Sequence, residues 1–347
     1  MRVPARRRVV GALIVSTAGC AGLAGLGDFH DLGNDGGGGS TSSSSSTGGS
    51  GGDPMLLGGG GSGGEGGSGG TLLLGPGWPD SATAYCITGE AGGASAPCDS
   101  SVPAPQDGHR TDLVEPELAF SAEVLIDGLT TLQWTRGGEG AGTWDEAKVT
   151  CENRGDDWRL PSALEMASVA DYGESASVFG ANLLLPTGSL SWLSNEDTMD
   201  PNYAWVMTAG GSWVSIDKSL DRLVVCVSGS LPVPDVEVDG TTYTDRTNRL
   251  MWRALSEGPF SWAEAVPHCA TQHGPEWRLP TIKELVTVVD FDAPQLREGI
   301  APVFTNLWSS TPSREQSHRA WVLSPSFPAI FVNDIDLQAR ILCVRSL

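Results

Sequence analysis

Ten of the twelve tryptophans in this 347-residue chain fall into matched pairs, and their spacing defines an internal repeat. In the first copy Trp134 and Trp144 precede Cys151 and the run Trp158-Arg159-Leu160-Pro161. In the second, Trp252 and Trp262 precede Cys269 and Trp277-Arg278-Leu279-Pro280. The Trp-to-Trp spacing is 10 and the Trp-to-Cys spacing 7 in both copies. Trp192 and Trp308 follow, each 13 residues ahead of an Ala-Trp-Val at Ala204-Trp205-Val206 and Ala320-Trp321-Val322. Each copy closes on a cysteine within an apolar segment, at 223–227 and 341–344. A chain with this register has to build one supersecondary unit twice. The two units are placed at 119–230 and 235–347.

Local patterns give each unit its elements. Thr143 with Glu146 and Ser261 with Glu264 are capping boxes, in which the hydroxyl and the acid three positions on satisfy helix N-terminal amides reciprocally. Trp262, Ala265, Val266 and Cys269 then share one helix face. Ser162 with Glu165, and Thr281 with Glu284, open a second helix in each copy. Behind those caps Ala163, Met166, Ala167 and Ala170 mirror Ile282, Leu285, Val286 and Val289. The remainder reads as short strands and long loops. The fold class is therefore α+β, two helices on a small, irregular, mostly antiparallel sheet in each copy.

Seven cysteines occur: Cys20, Cys86, Cys98, Cys151, Cys226, Cys269 and Cys343. Six cysteines allow fifteen pairings. The repeat selects Cys151–Cys226 and Cys269–Cys343, one bridge per copy, and leaves Cys86–Cys98 to close a small loop within 81–118. Cys20 belongs to a different context. Arg2, Arg6, Arg7 and Arg8 followed by the apolar run 9–15 read as an export signal over 1–19. Ala18-Gly19-Cys20 resembles the lipobox of bacterial lipoproteins, which implies a lipid on Cys20, although Thr17 stands where that family prefers an aliphatic residue. Cleavage as an ordinary signal peptide near Ala18 or Ala21 is the alternative. Residues 20–80 form a tether. Its Gly- and Ser-rich stretch from Gly33 to Gly70 cannot bury enough surface to offset ordering, and spans roughly 35 Å as a flexible coil.

The net charge of −21 argues against nucleic acid and against direct binding to anionic membrane, both of which need a basic face. A membrane partner enters only through the lipid. An exported, envelope-bound protein, on the outer membrane with its orientation open, is the expected location.

The stretch Asp245 to Trp252, the run Ser261-Trp262-Ala263-Glu264-Ala265, Trp277-Arg278-Leu279-Pro280-Thr281, Trp308-Ser309-Ser310-Thr311 and Cys343-Val344-Arg345 resemble the Lcl C-terminal domain family. The first copy shares the Trp and Trp-Arg-Leu-Pro frame but has Ser191-Trp192-Leu193-Ser194 and Cys226-Val227-Ser228 in the matching places. The resemblance implies two tandem C-type lectin-like domains, a fold also used by the formylglycine-generating enzymes. It implies a binding or adhesion module with a glycan or protein ligand. The adhesin that names the family binds sulphated polysaccharide. Here both copies are acidic, and a polyanion is repelled unless Arg314, Arg319, Arg340 and Arg345 cluster on one face. A structural lipoprotein acting through protein–protein contacts is the alternative. A formylglycine-generating-type oxidoreductase is a third, and it requires a free thiol pair.

Individual residues carry few chemical signals. The paired tryptophans are read as core rather than as a sugar-stacking platform, and the unpaired Trp78 and Trp213 are expected at the surface. Arg159 and Arg278 are read as ion-pair partners of Glu165 and Glu284 rather than anion ligands. Asn333, Asp334 and Asp336 precede the closing cysteine. Sugar-binding C-type lectins resemble this in placing a Trp-Asn-Asp calcium and sugar motif there, but Val332 replaces the Trp. These three are the candidate ligand-binding residues, with calcium as the possible cofactor, against the favoured reading of a solvated acidic loop. No histidine pair sits at zinc spacing, and no nucleophile or phosphate-loop motif is visible, so no catalytic residue is assigned and an enzyme is not expected.

Overall fold

The computed structural model describes residues 78–347 apart from 82, 89–94, 99–105, 111–116, 174–176, 292, 294 and 327–328. The export segment, Cys20 and the tether up to residue 77 lie outside the described residues. The chain from Gly69 to Leu347 forms one compact unit.

A leading segment carries strands β1 (Tyr85–Ile87) and β2 (Ser95–Pro97), which pair antiparallel, and a single 3-10 turn at Asp107–His109. The first copy follows with β3 (Leu118–Phe120), β4 (Val124–Asp127), β5 (Gln133–Thr135), β6 (Ala141–Gly142), α1 (Trp144–Glu152) and α2 (Ala163–Val169). It ends with β7 (Leu190–Glu196), β8 (Tyr203–Thr208), β9 (Trp213–Asp217), β10 (Arg222–Leu223) and β11 (Val227–Ser228). The second copy has β12 (Val236–Val238), β13 (Thr242–Asp245), β14 (Leu250–Arg253), β15 (Glu257–Phe260), α3 (Trp262–His273) and α4 (Ile282–Thr287). An added hairpin, β16 (Val289–Asp290) with β17 (Gln295–Leu296), separates these from β18 (Leu307–Pro312), β19 (Arg319–Ser324), β20 (Ala329–Asp334), β21 (Ala339–Ile341) and β22 (Val344–Ser346).

The two copies have the same topology. One sheet runs β6-β10-β7-β8-β9 in the first and β15-β21-β18-β19-β20 in the second; the other runs β11-β5-β4-β3 and β22-β14-β13-β12. Pairing is antiparallel except at β10–β7 and β18–β21. The class is mixed α+β, mostly β, with four α-helices among the described residues. All four helices open with capping boxes, at Thr143, Ser162, Ser261 and Thr281. α4 ends at Thr287, so Val289 joins β16 instead of extending the helix face.

Two of the five tryptophan pairs make matched hydrogen bonds in the two copies. Trp144 Nε1 donates to Leu193 O and Trp262 Nε1 to Ser309 O, each at 2.8 Å, tying the first helix of each copy to its central strand. Trp192 Nε1 donates to Gly142 O at 2.8 Å and Trp308 Nε1 to Phe260 O at 3.0 Å. Indole at these positions fills the core and saturates a carbonyl, which no aliphatic residue does. Cys151–Cys226 and Cys269–Cys343 then bridge the same helix to the end of the domain, over sequence separations of 75 and 74. A bridge closing a loop of that length contributes about 4 kcal/mol in the chain-entropy account. Cys86–Cys98 is the third bridge.

The copies are not separate beads. One hydrophobic core takes Met166 and Ala167 from α2 and Ala170 just past its end, Ile282, Leu285 and Val286 from α4, and Trp205, Trp213 and Trp321 from β8, β9 and β19. Tyr172 meets Trp321 edge-on at 5.0 Å, and Trp213 meets Phe291 at 5.1 Å. The expectation that Trp213 and Trp78 lie at the surface is corrected: they are 2% and 7% exposed. Trp213 lacks a partner in the repeat because it serves the contact between copies, which a repeat-by-repeat reading does not contain.

The leading segment packs on the second copy. Ile87 joins that copy's inner core, and Gln106 holds Ile87 by both its N–H and its C=O, at 2.7 and 2.8 Å. β18 is consequently buried along its whole length, whereas Ser194 and Glu196 at the end of the matching β7 are exposed.

Candidate functional site

A cavity of about 190 Å³ opens at the seam between the copies. Tyr172, Ser177, Val178, Gly210 and Ser212 line it from the first copy; Ser313, Arg314, Glu315, Gln316, Trp321 and Val332 line it from the second. Tyr172 and Trp321 are rigid core aromatics, 1% and 5% exposed, and the Tyr172 hydroxyl and Trp321 Nε1 find no hydrogen-bond partner among the described residues. Burial pushes the Tyr172 phenol far above its ordinary pKa, so it stays protonated. Arg314 donates to Gly173 O and lies over the Tyr85 ring at 4.6 Å. Glu315 and Gln316 are exposed at the rim. The site therefore combines aromatic surface with hydroxyls, one guanidinium, one carboxylate and one amide.

The β18–β19 loop that supplies Ser313 to Gln316 also carries His318. His318 Nε2 lies 3.1 Å from Asp336 Oδ2 and 3.4 Å from Asp334 Oδ1. Asn333 and Asp334 end β20, paired with Ala320 and Arg319, and Asp336 follows in an exposed turn, so the acidic group meets solvent although only Asp336 lies in a loop. Asn333 Oδ1 accepts from Asp334 N at 3.1 Å, and Asp334 Oδ1 accepts from Asp336 N at 3.0 Å. Two carboxylates and an imidazole do not fit calcium, which takes six to eight oxygens. A softer ion on Nε2 fits little better, because it would need the ring proton on Nδ1, and buried Nδ1 has no partner among the described residues. The first copy places Asn202, Asp217 and Ser219 at the corresponding points: Lys218 N bonds Asn202 O as Ile335 N bonds His318 O. The His–Asp–Asp corner thus belongs to the second copy only.

Arg159 and Arg278 behave as the sequence implied. Arg278 grips Glu284 with two bonds of 2.7 Å, and Arg159 grips Glu165 at 2.8 and 2.6 Å. The pairs differ in setting. Arg159 is 41% exposed, whereas Arg278 is 12% exposed and Arg110 of the leading segment adds a third bond to Glu284 at 2.9 Å. Burial alone would raise the Glu284 pKa, but the two guanidinium groups outweigh it and hold the carboxyl well below its ordinary value. Next to Glu284 in the chain, Lys283 is fully buried and donates to Ser168 O of the other copy at 2.9 Å. Burial pushes its ammonium down to about 8, opposed by Asp80, Asp171, Asp127 and Asp107.

Asp107 completes this buried cluster. Its Oδ2 accepts from Ser81 and from Thr311, both at 2.5 Å, and its Oδ1 has no partner among the described residues. Burial raises its pKa to about 7, against the hydrogen bonds, which lower it. Sequence reading missed the seam residues Tyr172, Ser177, Arg314, Glu315 and Gln316 and missed Lys283, which acquire their surroundings from the contact between copies, and missed Asp107, which acquires its own from the packing of the leading segment on the second copy. Among the four arginines whose clustering a polyanion would need, Arg314 serves the seam, Arg340 bonds Ser256, and Arg345 bonds Met251 Sδ. No described helix is long and apolar enough to cross a membrane.

No curated protein matches the chain. The model of the Lcl C-terminal domain matches it twice, over residues 123–228 and 241–345, which together make up more than half of the sequence. Those two stretches are the copies whose strand orders coincide above, and the chain belongs to the Lcl C-terminal domain family in tandem.

Proposed function

We propose that this protein is an envelope-anchored binding module that recognises an uncharged glycan at the seam between its two lectin-like copies. The observation that carries the reading is the seam cavity. It is large enough for one ring-sized polar group, well below the size of a drug-like pocket. Its aromatic pair offers apolar faces, and its serines, Gln316, Arg314 and Glu315 offer hydrogen-bonding groups of the kind that take sugar hydroxyls. Charges of both signs at the rim and the overall acidity disfavour a polyanion such as a sulphated polysaccharide. Asp334 and Asp336 adjoin the same loop and would act as hydrogen-bond acceptors for a ligand extending past His318, with Asn333 beside them. Lipidation of Cys20 and the Gly/Ser tether would hold the module away from a bacterial outer membrane.

The test is a glycan array with the chain from Gly69 onward, run with calcium and again with a chelator. Binding that survives chelation and is lost in Glu315→Gln and Arg314→Ala supports the seam. Binding lost on chelation would instead make calcium at Asp334 and Asp336 the determinant. A preference for heparin in dilute salt would overturn the ligand class. A second reading, a structural lipoprotein working through protein contacts, draws on the edge strands β3 and β12, which expose Phe120, Val236 and Val238. Absence of glycan binding together with capture of a defined envelope protein would favour it.

A further inference from the structure

We propose that the Cys86–Cys98 disulfide is a thiol-exchange site, which a small dithiol or a dithiol protein opens while the two domain bridges stay closed. The six bridged cysteines differ in access. Cys86, Cys151, Cys226, Cys269 and Cys343 are at most 1% exposed, whereas Cys98 is half-buried. An attacking thiolate therefore meets Cys98 Sγ, and Cys86 is the sulfur that leaves.

The leaving sulfur has a partner. His109 Nδ1 lies 3.3 Å from Cys86 Sγ and also faces the Gln106 N–H at 3.3 Å. That nitrogen is the acceptor of the Gln106 N–H, and it can accept likewise from the Cys86 thiol once the bridge is open, which stabilises the reduced form. The only other described bridge with a histidine close by is Cys269–Cys343, but His273 is held by Glu257 at 2.6 Å and both of its sulfurs are buried.

The exchange balances as follows. A thiolate of the dithiol attacks Cys98 Sγ, the Cys86–Cys98 bond breaks, and its electron pair leaves on Cys86 Sγ, which takes up the proton the reagent thiol gave to solvent and then faces His109 Nδ1 as a thiol. The second thiol of the reagent then displaces Cys98 as thiolate and closes the reagent's own disulfide. The dithiol is oxidised by two electrons and the protein bridge is reduced.

Opening the bridge has a structural consequence. The 3-10 turn presses Gly108 against Cys98 Sγ so closely that a Cβ there would lie 2.4 Å from the sulfur. The same turn carries Asp107, bonded to Thr311, and is followed by Arg110, bonded to Glu284. Reduction therefore loosens the segment that clamps the second copy, next to Tyr85 and the seam residue Arg314.

The experiment treats the folded full-length chain with graded dithiothreitol, quenches with an alkylating agent, and identifies labelled cysteines by peptide mass spectrometry. Cys86 and Cys98 are expected to be labelled at concentrations that leave the other four unlabelled. The rate of that labelling should be about tenfold slower in His109→Gln, which removes the ring nitrogen beside the leaving sulfur. Simultaneous reduction of all three bridges, or earlier reduction of the domain bridges, overturns the proposal. So does an unchanged rate in folded His109→Gln, while the order of labelling in the wild-type protein needs no variant to fold.

Discussion

Replacing Asp107 by Asn tests the buried cluster that joins the leading segment to both copies. The carboxyl titrates near 3.8 when unfolded and at about 7 when folded, because burial disfavours its charge. The folded state thus holds an extra proton between those values, and stability falls as pH rises through the window. The full difference is about 4 kcal/mol, at 1.36 kcal/mol per unit. Of this, about 2.5 kcal/mol is expected to disappear between pH 5 and pH 7.5, below the value of about 8 to which burial brings Lys283. Asp107→Asn has no charge to bury, so its urea-unfolding free energy should lack that slope. At pH 5 the variant should be less stable, since the unpartnered Oδ1 position offers its amide no acceptor among the described residues, at a cost of about 1–2 kcal/mol. At pH 7.5 it should equal or exceed the wild type. Parallel stability curves for the two proteins from pH 5 to 7.5 would show that water reaches Asp107 and would refute the reasoning.

Glu284→Gln should cost about 3–5 kcal/mol at neutral pH, because Arg278 and Arg110 are left buried without a counter-charge. Glu165→Gln should cost about 1 kcal/mol, since Arg159 reaches water; chemical denaturation of the two variants compares matched positions in one chain. The depressed Glu284 pKa also means that its contribution is present above the ordinary carboxylate value of 4.5 and is lost as pH falls from there toward the folded value, so the stability gap between the wild type and Glu284→Gln should narrow in acid. Gly211→Ala should destabilise by about 1–2 kcal/mol and weaken seam binding, because Gly211 has φ +86° and a Cβ there would meet Tyr172 Cε1 at 3.0 Å; thermal melts and array signal measure the two effects.

The repeat made much of each copy legible. Trp144 and Trp262 at one register, the four capping boxes and the 7-residue step to Cys151 and Cys269 are local or periodic signals, and helices, core and bridges follow from them. The Arg–Glu pairs were legible for the same reason, being six residues apart across a helix start. The site was not. Asp334 and Asp336 gained His318 only because β19 and β20 pair, and the donor set that resulted does not suit the calcium their sequence suggested.

What the sequence by itself determined is therefore the unit: its α+β class, its twofold occurrence, its own disulfide and its acidic surface. What only the tertiary structure decided is how the units meet. The core shared by Met166 and Leu285, the burial of Trp213, the seam cavity between Tyr172 and Trp321, and the Asp107–Lys283 cluster all join residues far apart in the chain. Helical and strand periodicities record which face of an element is buried but not against which partner, and burial against that partner is what sets the pKa of Asp107 and Lys283 and opens the cavity.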